Sequence, residues 1–195
     1  MIHPELSTYL ATLADFSASE LAEIGRDLIV EEFPKGAQLL AEGEVSRACY
    51  FVLKGCVRKY QLIDGTERTL EFYTEYQPVV SVTSYMQEIP ADHGYTCLED
   101  CVLMVGTKET EAAMYGKYPK LEAMTRAFTA QVLGETQQQF AAFMTSNPEA
   151  RYLRLLEDRP NLVQRVPQQQ IASYLGVAPE SLSRIKRRVA HGKDR

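Results

Sequence analysis

The side chains best suited to a charged partner crowd toward the C-terminal end of this chain. The segment Pro167-Gln168-Gln169-Gln170-Ile171-Ala172-Ser173-Tyr174-Leu175-Gly176-Val177-Ala178-Pro179-Glu180-Ser181-Leu182-Ser183-Arg184-Ile185-Lys186-Arg187-Arg188-Val189 carries most of them. Leu182, Ile185 and Val189 are spaced so that one helical face turns inward. Glu180, Ser181, Ser183, Arg184, Arg187 and Arg188 then lie on the opposite face. An arginine fork matches the O6 and N7 acceptors of guanine, a carboxylate accepts from cytosine N4, and short hydroxyls reach bases or phosphates. Lys186, Arg187 and Arg188 suit phosphate oxygens, as do Gln168 and Gln169 at the start of the preceding helix.

Those residues need two helices and a tight turn to present them. Pro167 suits a first helical position, where its missing N–H is no loss. Ile171, Ala172 and Leu175 make an inward stripe, and Gly176 can take the left-handed conformation that ends a helix. Val177 fills the corner, and Pro179 opens the second helix. The pattern predicts a helix-turn-helix near residues 168–190 whose second helix enters the major groove of double-stranded DNA. An ordinary helical hairpin serving assembly would share the glycine turn and the apolar stripes. It has no need of a basic, serine-rich outer face.

Charge is divided along the chain in the same sense. Residues 151–195 hold ten basic and four acidic side chains, while the residues before them hold 11 basic and 22 acidic ones. An acidic body of net −11 thus carries a basic end of net +6, as expected when only one end meets a polyanion.

Upstream, residues 5–30 read as a helical lead-in, with Ser17 or Ser19 available as a cap before Leu21. From Glu31 to about Thr107, short β-branched and aromatic runs alternate with Gly, Pro and Asp. Asp64-Gly65 between Val57–Ile63 and Thr66–Tyr73 is a strong hairpin signal. Repeated short strands point to an antiparallel barrel or jelly roll. Helix returns near Glu109, and residues 120–145 form one long helix with Leu121, Met124, Phe128, Val132, Phe140, Phe143 and Met144 along a stripe. Pairing with the same helix of a second subunit would bury that stripe, so a homodimer through residues 120–145 is expected. Asn147-Pro148 ends the helix. Glu149–Leu156 forms another helical stripe, and Leu162–Val166 reads as a short apolar or extended bridge.

Other chemistry finds little support. Cys49, Cys56, Cys97 and Cys101 lack CxxC spacing and read as buried thiols. His3, His93 and His191 are far apart, and no Ser/His/Asp, phosphate-loop or dinucleotide signature occurs. The sequence predicts no enzyme, no metal site and no cofactor. No apolar run approaches the ~20 residues of a membrane span. The start, Met1-Ile2-His3-Pro4-Glu5, lacks the pattern of a secretory signal, so a cytoplasmic protein with no membrane partner is expected.

Taken together, a Gly-punctuated β domain, a long helix and a C-terminal helix-turn-helix resemble the Crp/Fnr family of transcription regulators. The resemblance covers nearly the whole chain. Its most specific parts are Glu42-Gly43 through Tyr50-Phe51-Val52-Leu53-Lys54-Gly55, similar to a cyclic-nucleotide-binding jelly roll, and Ile171–Arg188. It implies an α+β protein in three parts: a cyclic-nucleotide-binding-like antiparallel jelly roll at residues 1–116, a dimerisation helix at 117–146 and a winged-helix-like helix-turn-helix domain at 147–195. It further implies a homodimer, a near-palindromic operator and RNA polymerase as a partner. Of the family's base-reading trio, Glu180 and Arg184 are present, whereas the first position, often Arg, is Pro179.

The sensor departs further from the family. Cyclic-nucleotide-binding members hold the phosphate with a Gly-Glu pair and a following Arg-Ser or Arg-Thr. The matching stretch here runs Gln77-Pro78-Val79-Val80-Ser81 to Asp92-His93-Gly94-Tyr95-Thr96, with no Lys or Arg from Thr69 to Thr107. A phosphate would meet mostly like charge there, which argues against cyclic AMP. The family's N-terminal cysteine cluster is absent too. The effector is therefore an unknown small molecule or none. The alternative reading of the chain is a small-molecule or nucleotide sensor whose C-terminal hairpin serves assembly.

Overall fold

The computed structural model describes residues 2–192. Lys193, Asp194 and Arg195, which enter the charge balance above, lie outside the described residues. The chain divides into two compact units. One ends at Ala123, and the other runs from Met124 and also takes in Arg68–Leu70.

The lead-in is two helices, α1 (Pro4–Leu10) and α2 (Ala18–Asp27). Ser17 caps α2 in a reciprocal capping box with Glu20, each side chain meeting the other's backbone N–H. Eight strands follow: β1 (Ile29–Phe33), β2 (Gln38–Leu40), β3 (Cys49–Lys54), β4 (Val57–Ile63), β5 (Thr66–Tyr73), β6 (Pro78–Val79), β7 (Gly94–Cys97) and β8 (Cys101–Gly106). They form two four-stranded sheets, in the orders β1-β8-β3-β6 and β2-β7-β4-β5. This is the antiparallel double-sheet roll expected from the spacing of turns. Asp64 and Gly65 both take positive φ, 51° and 71°, as a two-residue type I′ hairpin demands. Leu40, Val52, Val57, Val79, Ala91, Tyr95, Cys97, Cys101 and Leu103 make the core of the roll. The short helix α3 (Val82–Gln87) interrupts the strands after β6. Its Ser84 hydroxyl accepts from the Ser46 amide and donates to the Ile89 carbonyl.

Helix α4 (Lys108–Lys117) leads to α5 (Pro119–Thr145), the long helix read from the sequence. Along α5, Leu133, Phe140, Phe143 and Met144 are exposed. The remaining elements are α6 (Pro148–Asp158), α7 (Leu162–Arg165), α8 (Gln168–Tyr174) and α9 (Pro179–Gly192). Two local readings change. The segment expected as an apolar or extended bridge closes a turn of helix, because Val166 N–H finds the Leu162 carbonyl. Pro167 stands outside α8 with extended ψ of 137°, at the position just before the helix instead of its first helical one. All described strands lie within residues 29–106, so the described residues from 124 onward are helical, without strands of a wing. Among the described residues no helix is long and apolar enough to cross a membrane.

Candidate nucleic-acid interface

Five side chains hold α8 against α9. Ile171, Ala172, Leu175, Leu182 and Ile185 are each at most 4 % exposed, which is the inward face the apolar spacing predicts. Val189, the third position of that stripe, is half-buried. The turn between the helices bends at Gly176, whose φ of 72° lies in the left-handed region. Its N–H bonds the Ser173 carbonyl, and the next amide, of Val177, bonds the Ala172 carbonyl. Orphan carbonyls at the end of α8 are thereby satisfied.

One more carbonyl at that helix end, that of Leu175, accepts a 3.0 Å bond from Nη1 of Arg151 on α6. The same guanidinium lies 3.7 Å from the ring centroid of Phe143, near the end of α5. Its Nε is buried without a hydrogen-bond partner among the described residues. Arg151 therefore ties α5, α6 and the turn together. Sequence reading did not single it out, since nothing local links these positions.

The outer face of α9 holds the residues expected to meet DNA. Glu180, Ser183, Arg184, Arg187 and Arg188 are exposed, and Ser181 is half-buried. Arg184 Nη2 donates to Ser181 Oγ at 3.1 Å, which aims the guanidinium along the helix. Ser183 spends its hydroxyl on the Pro179 carbonyl at 3.1 Å, leaving its oxygen to accept. Lys186 is half-buried and turned toward α8, where its ammonium donates to Gln168 Oε1 at 2.8 Å. Gln168 and Gln169 are exposed in the first turn of α8. Glu180, Arg184, Arg187 and Arg188 thus form one exposed set, while Lys186 and Gln168 form a neighbouring pair.

A groove of about 770 Å³ runs beside this face. Ser181, Arg184, Ile185 and Arg188 line one wall, and Asn147, Glu149 and Leu153 line the other. Glu149 reaches across to Arg188 at 2.8 Å. This acidic residue was not among the candidates from sequence, because its position on the groove depends on how α6 packs against α9.

The β unit holds a second group of polar side chains. His93, just before β7, is 7 % exposed. Its Nδ1 meets the Asp92 carboxylate at 2.6 Å and its Nε2 meets the Tyr95 hydroxyl at 3.1 Å. Burial pushes His93 below its ordinary value of 6.5, despite the opposing pull of Asp92. That carboxylate is 83 % exposed, so water screens its pull, and the ring is neutral at pH 7. Sequence reading missed one nearby cation. Lys59 of β4 stands opposite Tyr95 of β7 in the same register that sets Val57 opposite Cys97. Paired residues share a face, so Lys59 lies on the inner side of the roll with those core residues. Burial lowers its pKa, while Asp92 and Glu71 raise it. Among the described residues no group of acidic, His and Cys side chains could hold a metal ion.

Comparison with known proteins bears out the resemblance in fold. Residues 30–118 match the family model of the cyclic nucleotide-binding domain. No curated protein sequence matches the chain. Among solved structures, the catabolite activator protein of Thermus thermophilus is 20% identical, covering 92% of this chain and 86% of its own, with a TM-score of 0.53. The c-di-GMP responsive global regulator CLP of Xanthomonas campestris is 16% identical over 91% of this chain and 93% of its own, with a TM-score of 0.69. FixK2 of Bradyrhizobium japonicum is 16% identical over 85% and 86%, also at 0.69. At these identities the likeness is one of fold, and it extends over both parts of the chain.

Proposed function

We propose, from a cyclic nucleotide-binding domain at residues 30–118 and a chain folded like the Crp/Fnr regulators, that this protein is a sequence-specific, DNA-binding transcription regulator without catalytic activity. The observation that carries the proposal is the face of α9. Glu180, Arg184, Arg187 and Arg188 are exposed together on a helix whose other face is locked by Leu182 and Ile185. Arg184 and Glu180 read base edges, while Arg187, Arg188, Ser181, Ser183 and the Gln168–Lys186 pair hold the backbone. Gln169 joins them from the first turn of α8.

Dimerisation runs through α5. Its exposed Leu133, Phe140 and Met144 form the stripe a second copy would cover. Two recognition helices one turn of DNA apart, about 34 Å, then read a near-palindromic operator. Such a regulator works in the cytoplasm beside RNA polymerase. Its sensor is a degenerate relative of the cyclic-nucleotide type. The stretch from Thr69 to Thr107 supplies no Lys or Arg, and its buried His93 is held below its ordinary value of 6.5, which disfavours an anionic cyclic nucleotide such as cyclic AMP. Lys59 tempers the negative field there without replacing the bidentate arginine.

Binding of the purified protein to duplex DNA, followed as salt is raised, tests the proposal. Phosphate contacts make affinity fall steeply with salt. Absence of salt-sensitive binding to either genomic DNA or heparin would leave the hairpin an assembly device and the chain a sensor module.

A further inference from the structure

We infer that Glu149 withholds Arg188 from non-specific DNA, acting as an anionic gate beside the recognition helix. The inference rests on the proposal that α9 faces DNA. Arg184 and Arg188 lie one helical turn apart and line the same groove. A strand seated along α9 would bring its phosphates between them. The opposite wall of that groove starts α6, with Asn147 as its cap and Glu149 in its first turn. Glu149 Oε2 lies 2.8 Å from Arg188 Nη2, where a phosphate oxygen would otherwise sit.

The carboxylate acts in two ways. It occupies the arginine, and it places a negative charge beside an incoming phosphate. Helix position reinforces this, since an acidic side chain in a first turn is favoured by the helix dipole. Yet neither partner is buried: Arg188 is 65 % and Glu149 41 % exposed. Water screens such a pair, so it opens at small cost once other contacts hold the duplex in register. Random DNA, lacking base contacts from Glu180 and Arg184, leaves the pair closed. Discrimination against wrong partners often relies on a repulsive group of this kind.

The experiment uses the full-length protein, a random-sequence duplex and fluorescence anisotropy between 50 and 200 mM KCl. The variants are Glu149→Gln, Arg188→Gln and the double substitution. Each released phosphate contact steepens the dependence of log K on log salt by about 0.9. Glu149→Gln should therefore bind random DNA more tightly than wild type, with a slope steeper by about 0.9. Its advantage should shrink about 3.5-fold as salt rises fourfold, which is the same slope expressed as a ratio. Arg188→Gln should stay near the wild-type slope. The double variant, which loses the repelling carboxylate but has no arginine to release, should bind random DNA more tightly than Arg188→Gln and less tightly than Glu149→Gln. Wild-type affinity and slope for Glu149→Gln, with a shallower slope for Arg188→Gln, would show that Arg188 already holds phosphate and would overturn the gate alone. Failure of all four proteins to bind DNA would overturn the DNA proposal and the gate with it.

Discussion

Replacing Arg151 by Met tests whether the turn of the helix pair is held from outside. Methionine keeps the apolar stem but loses the guanidinium. The charged bond to the Leu175 carbonyl, 3.0 Å long, is worth about 1.5–3 kcal/mol. The stacking on Phe143, at 3.7 Å, adds about 0.5–2 kcal/mol. Against these stands the buried Nε with no partner, whose removal returns roughly 1–3 kcal/mol. The balance is a loss of about 1–2 kcal/mol, smaller than the contacts alone suggest. In urea, with a slope of about 1–3 kcal/mol/M, the midpoint of the helical unit should fall by roughly 0.5–1 M at unchanged slope. Circular dichroism at 222 nm reads that midpoint. The Leu175 carbonyl, left without its donor, loosens the turn, and specific DNA affinity should fall with it. A double-mutant cycle with Phe143→Leu should show coupling of about 0.5–1.5 kcal/mol. Zero coupling together with wild-type stability would refute the tie.

Other perturbations follow from the same geometry. Gly176→Ala forces a Cβ onto a residue at φ 72°, 3.4 Å from Arg151 Nη1, and should cost about 1–2 kcal/mol by thermal unfolding. Arg184→Ala should abolish sequence preference in selection from a random DNA pool while retaining non-specific binding, whereas Arg187→Ala should weaken all sequences alike. Equal effects of the two on both kinds of DNA would contradict that division. Phe140→Glu, at a side chain 67 % exposed, should halve the mass seen by light scattering if α5 joins two copies. His93 is held below its ordinary value of 6.5 by burial, so it favours folding fully above that pH. This contribution should be lost as pH falls through the lower folded value, because the unfolded chain then binds the extra proton. His93→Gln should flatten the urea midpoint between pH 7 and 5, and an unchanged profile would count against the buried neutral ring.

The helix pair was legible because its signals are local. Gly176 can bend left-handed, Pro179 can start a helix, and Ile171, Leu175, Leu182 and Ile185 repeat at helical spacing. The Asp64-Gly65 hairpin was readable for the same reason. What escaped depends on distant segments meeting. Arg151 finds the Leu175 carbonyl 24 residues away, and Glu149 meets Arg188 only through the packing of α6 on α9. Lys59 escaped because the absence of cations was read along one stretch, from Thr69 to Thr107. Pairing of β4 with β7 brings a lysine to that stretch from outside it. The α7 turn was missed because four residues show no periodicity.

The thiols of the roll have a practical consequence. Cys56, Cys97 and Cys101 are at most 1 % exposed, out of reach of any reagent while the strands are closed. Cys49 is half-buried, and burial beside the Glu111 carboxylate pushes it up to about 12, leaving almost no nucleophilic thiolate at neutral pH. A single cysteine engineered on the outside, for example Gln169→Cys, can therefore be labelled with a maleimide dye on an otherwise native background. The native thiols then serve as a clock, since the rate at which they take up reagent reports how often the roll opens.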